Sequence, residues 1–148
     1  MSPELQRMRG ECVARIVADV DADLGDYRLL IETLDVLHRA LVDEQLGTLG
    51  RAHDRAAQLV SRLQVRARRR VRCLEQAFGQ ASANTMAPVL AWLDAPARET
   101  FSSRWQVLQA CAARCKASNA RNLQDIGMRL QALDVVLSPA SATYSPQR

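Results

Sequence analysis

Aromatic residues are nearly missing from this 148-residue chain, at 4% against 48% hydrophobic residues overall. Its apolar content rests on Ala, Leu and Val, and Arg and Gln are also common. Most of these types lose little on entering a helix. No stretch alternates apolar and polar residues over strand length between turn signals, so no sheet is expected. Charges interrupt every apolar stretch before it reaches the roughly 18 residues that a membrane span needs. The opening Met-Ser-Pro-Glu also lacks an apolar signal core. The expectation is a cytoplasmic protein without stable membrane insertion. Four cysteines, Cys12, Cys73, Cys111 and Cys115, lack the two-residue spacing of paired metal ligands. In a reducing compartment they should serve as small buried hydrophobes.

Catalytic constellations are missing too. Gly47-Thr-Leu-Gly50 has neither the lysine nor the length of a phosphate cradle. Cys111 and Cys115 share one helical face, but two ligands are too few for a metal, and neither His38 nor His53 is spaced to join them. Carboxylates recur on hydrophilic faces instead of converging beside a partner, so the chain is not expected to be an enzyme or to carry a cofactor.

What is present is helical periodicity. Val13, Val17, Val20, Leu24, Tyr27, Ile31, Leu34 and Leu41 recur at three- and four-residue steps, with His38 filling one step, which predicts a first helix over about 4–46. Gly47 is expected to end it and Thr48 to cap the next. The second series, from Leu49 through Ala56, Leu63 and Val71 to Phe78, predicts a helix over about 48–78, stopped by Gly79. Residues 86–93 read as a short connecting helix with Pro88 in its first turn. Asp94 and Pro96 then start a last long helix carrying Phe101, Trp105, Leu108, Ala112, Cys115, Asn119, Asn122, Ile126 and Leu133. The fold class is all-α: an elongated antiparallel bundle of three long helices plus one short one, a single domain over 1–137. Residues 138–148, with two prolines among small polar groups, are expected to form a flexible tail carrying Tyr144.

Charge is unevenly distributed. Residues 1–47 carry 10 acidic and 5 basic side chains, whereas residues 48–80 carry 2 and 8. The run Arg66, Arg68, Arg69, Arg70 and Arg72, with Arg62 before it, invites a nucleic-acid partner. Folding the chain back at Gly47 supplies another explanation. Position i on the first helix then lies beside a position near 94 − i, so the arginines oppose Asp19, Asp21, Asp23 and Asp26. With only Phe78 near enough to stack on a base, nucleic acid is not the expected partner. Pairs exposed on such a surface are worth about 0.2–1 kcal/mol and set alignment more than stability.

The last helix holds the informative residues. Asn119 and Asn122 occupy seam positions that core packing would fill with leucine, where an amide either sets register or meets a partner. From Ile126 to Leu137 apolar residues, Leu130 and Leu133 among them, wrap most of the circumference. Such an excess, beyond the reach of the first helix, suits an amphipathic partner helix or self-association into a homo-oligomer.

The run Cys-Lys-Ala-Ser-Asn119-Ala-Arg-Asn122 inside a long last helix, followed by Leu130, Leu133, Leu137 and a tail with Tyr144, resembles the FlgN flagellar export chaperones. The resemblance implies a cytoplasmic chaperone that binds the C-terminal helical segments of hook–filament junction proteins. It would keep them unpolymerised and deliver them to the flagellar type III export gate and its ATPase apparatus. By position, Asn119, Asn122, Ile126, Leu130, Leu133 and Leu137 would contact the client, and Tyr144 would dock on the gate. No cofactor is implied.

Overall fold

The computed structural model describes the backbone of residues 1–137 and the side chains of residues 1–128. Among these, four helices and a short 3₁₀ turn account for nearly the whole chain, and no strand occurs. The helices are α1 (Pro3–Val42), α2 (Leu46–Phe78), α3 (Ala87–Trp92) and α4 (Ala95–Leu137), with the turn at Gln80–Ser82 between α2 and α3. No described helix is long and apolar enough to cross a membrane.

Local chemistry sets the helix starts. Ser2 accepts a hydrogen bond from the Leu5 amide at 3.2 Å, with Pro3 at the first helical position. Asp94 accepts from the Ala97 amide at 3.1 Å and begins α4. Arg98 then donates to the Leu90 and Leu93 carbonyls, both at 2.8 Å, which otherwise lack partners where α3 ends. Gly79, at φ 96° and ψ 161°, ends α2 in a conformation essentially confined to glycine.

The first turn departs from expectation. α1 ends at Val42 and α2 begins at Leu46, so Gly47, Thr48 and Gly50 lie inside α2 and neither end nor cap a helix there. The left-handed residue is Glu44, at φ 55°. The Gln45 amide bonds to the Ala40 carbonyl at 2.9 Å, and the Glu44 amide to the Leu41 carbonyl at 3.4 Å. These are the two hydrogen bonds of a Schellman ending. They close the turn without the glycine that usually supplies its left-handed residue.

The chain runs up, down and up. α1 lies at the centre of the packing, against both α2 and α4, while the backbones of α2 and α4 scarcely approach each other. One core fills the end near α3, with Ile16, Val20, Leu74, Val89, Phe101 and Leu108 buried. A second, around Leu30, Leu34, Leu59, Leu63 and Cys115, continues along the bundle. All four cysteines are free; Cys12 and Cys115 are buried, and Cys73 and Cys111 half-buried. Burial, followed by the hydrogen bond that the neutral Cys12 thiol makes to Cys73, pushes the Cys12 thiol up to about 12.

Carboxylates and arginines join α1 to α2 in a ladder. Asp19 receives both Arg69 nitrogens, at 2.6 and 3.1 Å. Asp23 receives Arg66 Nε and Arg70 Nη1, each at 2.5 Å. Asp26 bonds to Arg66 and, at 3.1 Å, to Arg62. The early turn corrects the pairing: Asp23 meets Arg66 and Arg70 in place of Val71. Asp21, expected opposite the arginines, faces α4 and pairs there with Arg104 at 3.0 Å. The ladder is also less exposed than a surface network, since the Asp23 side chain keeps 1% of its accessible area. Burial opposes the charge on Arg66, but hydrogen bonds to Asp23 and Asp26 outweigh it and hold the guanidinium above its ordinary pKa.

Candidate functional site

Four residues of α4 at seven-residue intervals, Phe101, Leu108, Cys115 and Asn122, are buried against the bundle. Those four positions further on tell a different story. Trp105, Ala112 and Ile126 are half-buried, and Asn119 is exposed. One edge of the helix is therefore committed to α1, and the adjoining edge faces the gap between α4 and α2.

The two seam asparagines separate accordingly. Asn122 is only 2% exposed. Its Nδ2 donates to the Leu34 carbonyl at 3.4 Å, and its Oδ1 lies 3.1 Å from His38 Nδ1. His38 Nδ1 also lies 3.3 Å from Asp125. The Asn122 amide thus holds α4 to α1 and is turned away from the free surface of α4. Asn119, three residues earlier and about 60° around the helix, is turned outward.

Asn119 lines a groove of about 340 Å³ between α2 and α4. Leu30, Leu34 and Leu37 of α1 form its floor, His53, Ala56, Ala57 and Val60 one wall, and Cys115, Lys116 and Asn119 the other. Towards α3 the gap is bridged by Arg70 of α2, whose guanidinium sits 5.8 Å from the centre of the Trp105 ring. Tyr27 is half-buried among the apolar residues of both cores. Burial, and then the neighbouring Asp23 carboxylate, raise its phenol pKa.

Beyond the groove the same face of α4 stays apolar and uncovered. Leu123 on this face is 61% exposed; Met128, equally exposed, lies on the opposite side of the helix. The contacts of Asp21 with Arg104 and of His38 with Asn122 put the end of α1 level with about residue 126 of α4. From there α4 continues to Leu137, a projection of roughly 16 Å at the usual helical rise. The positions of Lys116, Asn119, Leu123, Ile126, Leu130, Leu133 and Leu137 alternate four- and three-residue steps and so share one helical face. The side chains of Leu130, Leu133 and Leu137, and the whole of Tyr144, lie outside the described residues.

Sequence periodicity did not find the α2 wall of this groove or the part played by Leu123. A signal was available in α2, where Val60 lines the groove at 38% exposure. The arginine run, by contrast, is largely occupied: Arg62, Arg66, Arg69 and Arg70 all bond to α1 carboxylates. Phe78 packs edge-on to Trp92 with the Arg9 guanidinium over its ring, which removes the one nearby stacking aromatic.

A family model described as FlgN protein matches residues 13–145. That span runs from the core of α1 to beyond the end of α4. Comparison with curated proteins gives no match. Comparison with solved structures gives none either.

Proposed function

Because the chain belongs to the FlgN family, we propose that it is a flagellar export chaperone. It binds the C-terminal helical segments of hook–filament junction proteins, keeps them from assembling early, and delivers them to the type III export gate in the cytoplasm. The observation that carries this is the apolar face of α4 where Leu123 stands exposed and the helix runs on past the end of α1. A segment that forms coiled coils in its assembled state presents an apolar helical stripe, and a second stripe of the same spacing can mask it.

On this basis Ile126, Leu130, Leu133 and Leu137 supply affinity, and Asn119 supplies an amide at the edge of the same face. Asn122 acts from inside, fixing the angle at which α4 leaves the bundle. Tyr144 is assigned to docking on the gate.

A C-terminal segment of a junction protein from the same genome should form a 1:1 complex measurable by titration calorimetry. Leu130→Asp or Leu133→Asp should abolish it without loss of helical circular dichroism. Tyr144→Ala should leave that complex intact and reduce export in cells. A stable homodimer that the segment does not dissociate would refute the assignment.

A further inference from the structure

The three long helices occupy three corners of a four-helix arrangement. α1 packs on both partners, α2 and α4 remain apart, and the space between them is floored by Leu30, Leu34 and Leu37. Small side chains on the α2 wall, Ala56 and Ala57, leave room for a helix backbone to come close.

The two helices that wall the groove are both basic overall. Between Glu99 and Asp125, α4 carries Arg104, Arg114, Lys116 and Arg121 and no carboxylate. Arg104 is paired with Asp21, whereas Lys116 lines the groove with no ion-pair partner among the described residues. From Arg51 to Leu74, α2 carries eight arginines and one carboxylate, Asp54. Acidic α1 already neutralises four of those arginines from one side. No carboxylate lines the groove among the described residues.

We propose that the groove between α2 and α4 receives an acidic amphipathic helix of the client protein, which completes a four-helix bundle. The proposal rests on the chaperone function above and extends the client site from the projecting end of α4 back along Leu123 and Asn119 to Val60 and Ala57 of α2. The apolar face of the incoming helix packs on the exposed Ala57, Val60 and Leu123, above a floor of Leu30, Leu34 and Leu37 that is already at most 7% exposed. Its flanking carboxylates meet Lys116, the cation that lines the groove.

Two labelled synthetic helices test this, one with leucines at three-four spacing flanked by glutamates and its counterpart flanked by lysines. They are measured by fluorescence anisotropy beside a junction-protein C-terminal segment. The full chain should bind the glutamate helix at least tenfold more tightly than the lysine helix. Val60→Glu, at a partly exposed position, and Lys116→Glu should each weaken the glutamate helix and the junction segment at least tenfold with helicity unchanged. If Leu133→Asp abolishes binding of the junction segment but Val60→Glu and Lys116→Glu do not, the client is confined to the projecting end and the groove proposal falls while the chaperone function stands. Binding of the glutamate helix through Val60 without any binding of junction segments upholds the groove and removes the client assignment. A homodimer dispersed by Val60→Glu, or a groove that binds only after residues 138–148 are deleted, would overturn the proposal in favour of a second copy or the chain's own end.

Discussion

Replacing Asp23 by Asn should destabilise this protein more than any other single loss of charge. The side chain is 1% exposed and neutralises two guanidiniums that are themselves 14% and 11% exposed, Arg66 and Arg70. Removing one member of a buried pair leaves the partner charged in a medium that solvates it poorly, which costs about 3–5 kcal/mol. Arg66 keeps Asp26, so its share of the loss is softened. Among the described residues Arg70 keeps the face of Trp105, which at such a distance is worth about 0.5–1 kcal/mol. A loss near 3 kcal/mol is a large fraction of the 5–15 kcal/mol typical of a domain and, at roughly 2–4 °C per kcal/mol, lowers the melting temperature by at least about 6 °C.

Thermal and urea unfolding followed by circular dichroism at about 0.1 and 1 M NaCl supply the assay. Asp21→Asn is the control, because the Asp21–Arg104 pair has side chains 51% and 46% exposed and should cost no more than about 1 kcal/mol, with most of that screened at high salt. The Asp23→Asn loss should persist at high salt. Replacing Asp23, Arg66 and Arg70 together by leucine or methionine should recover much of it. Equal, small and salt-sensitive losses for Asp21→Asn and Asp23→Asn would refute the account of the ladder as a buried network.

Gly50→Ala should raise stability by about 0.5–1 kcal/mol in the same unfolding assay, because Gly50 sits inside α2 with nothing within 4 Å of an added Cβ; a loss would restore the turn to 47–50. Asn122→Ala should cost about 1–3 kcal/mol, since it strips hydrogen bonds from a buried site, whereas Asn119→Ala should change stability by less than about 0.5 kcal/mol and act only on binding. Burial raises the Cys12 thiol from 9.0 to about 12 and that of Cys115 to about 11, so the unfolded chain ionises first. Their contribution should be complete below pH 9 and fall as the pH rises from 9 through 11 to 12, with Cys12→Ala flattening that decline. At pH 8 in native buffer, iodoacetamide should modify Cys73 and Cys111 well before Cys12 and Cys115, as read by peptide mass, and in urea this order should vanish.

Helix periods were legible because each long helix buries one continuous stripe, and burial at three-four spacing leaves a direct imprint on residue type. The first turn was not, because its Schellman bonds are made by backbone groups and its left-handed residue is Glu44, a type that carries no turn signal. Two glycines nearby carried that signal without the role. The error propagated: a turn near residue 44 instead of 47–50 moves each α1 carboxylate opposite an earlier α2 arginine. The acid-to-base match of α1 and α2 survived that shift because arginines recur through several turns and their long side chains tolerate a few residues of slip. Asn119 and Asn122 looked equivalent because both satisfy the same spacing. They differ by about 60° around the helix, and only the position of α1 decides which one is enclosed. The groove had no imprint of its own, since a gap between helices depends on the distance between α2 and α4.

The placement of charge explains how this bundle can hold three helices firmly and still offer room for a fourth. Attraction between α1 and α2 is concentrated in one buried ladder, which fixes their register from Asp19 to Asp26. α4 is held to α1 instead by an apolar seam that ends in the polar trio Asn122, His38 and Asp125. The Arg70–Trp105 contact spans the gap between α2 and α4 at its closed end, and both helices are basic overall. Two like-charged helices do not close on each other without a counter-charge between them, so the opening is maintained by electrostatics as well as by shape. An acidic helix removes that repulsion and covers the exposed Val60 and Leu123 in one step. Its encounter rate should therefore fall with ionic strength while its dissociation rate, governed by apolar contact, changes little. Stopped-flow measurements at about 0.05 and 0.3 M salt separate the two rates. A salt effect confined to dissociation would mean that the basic walls do not steer the incoming helix.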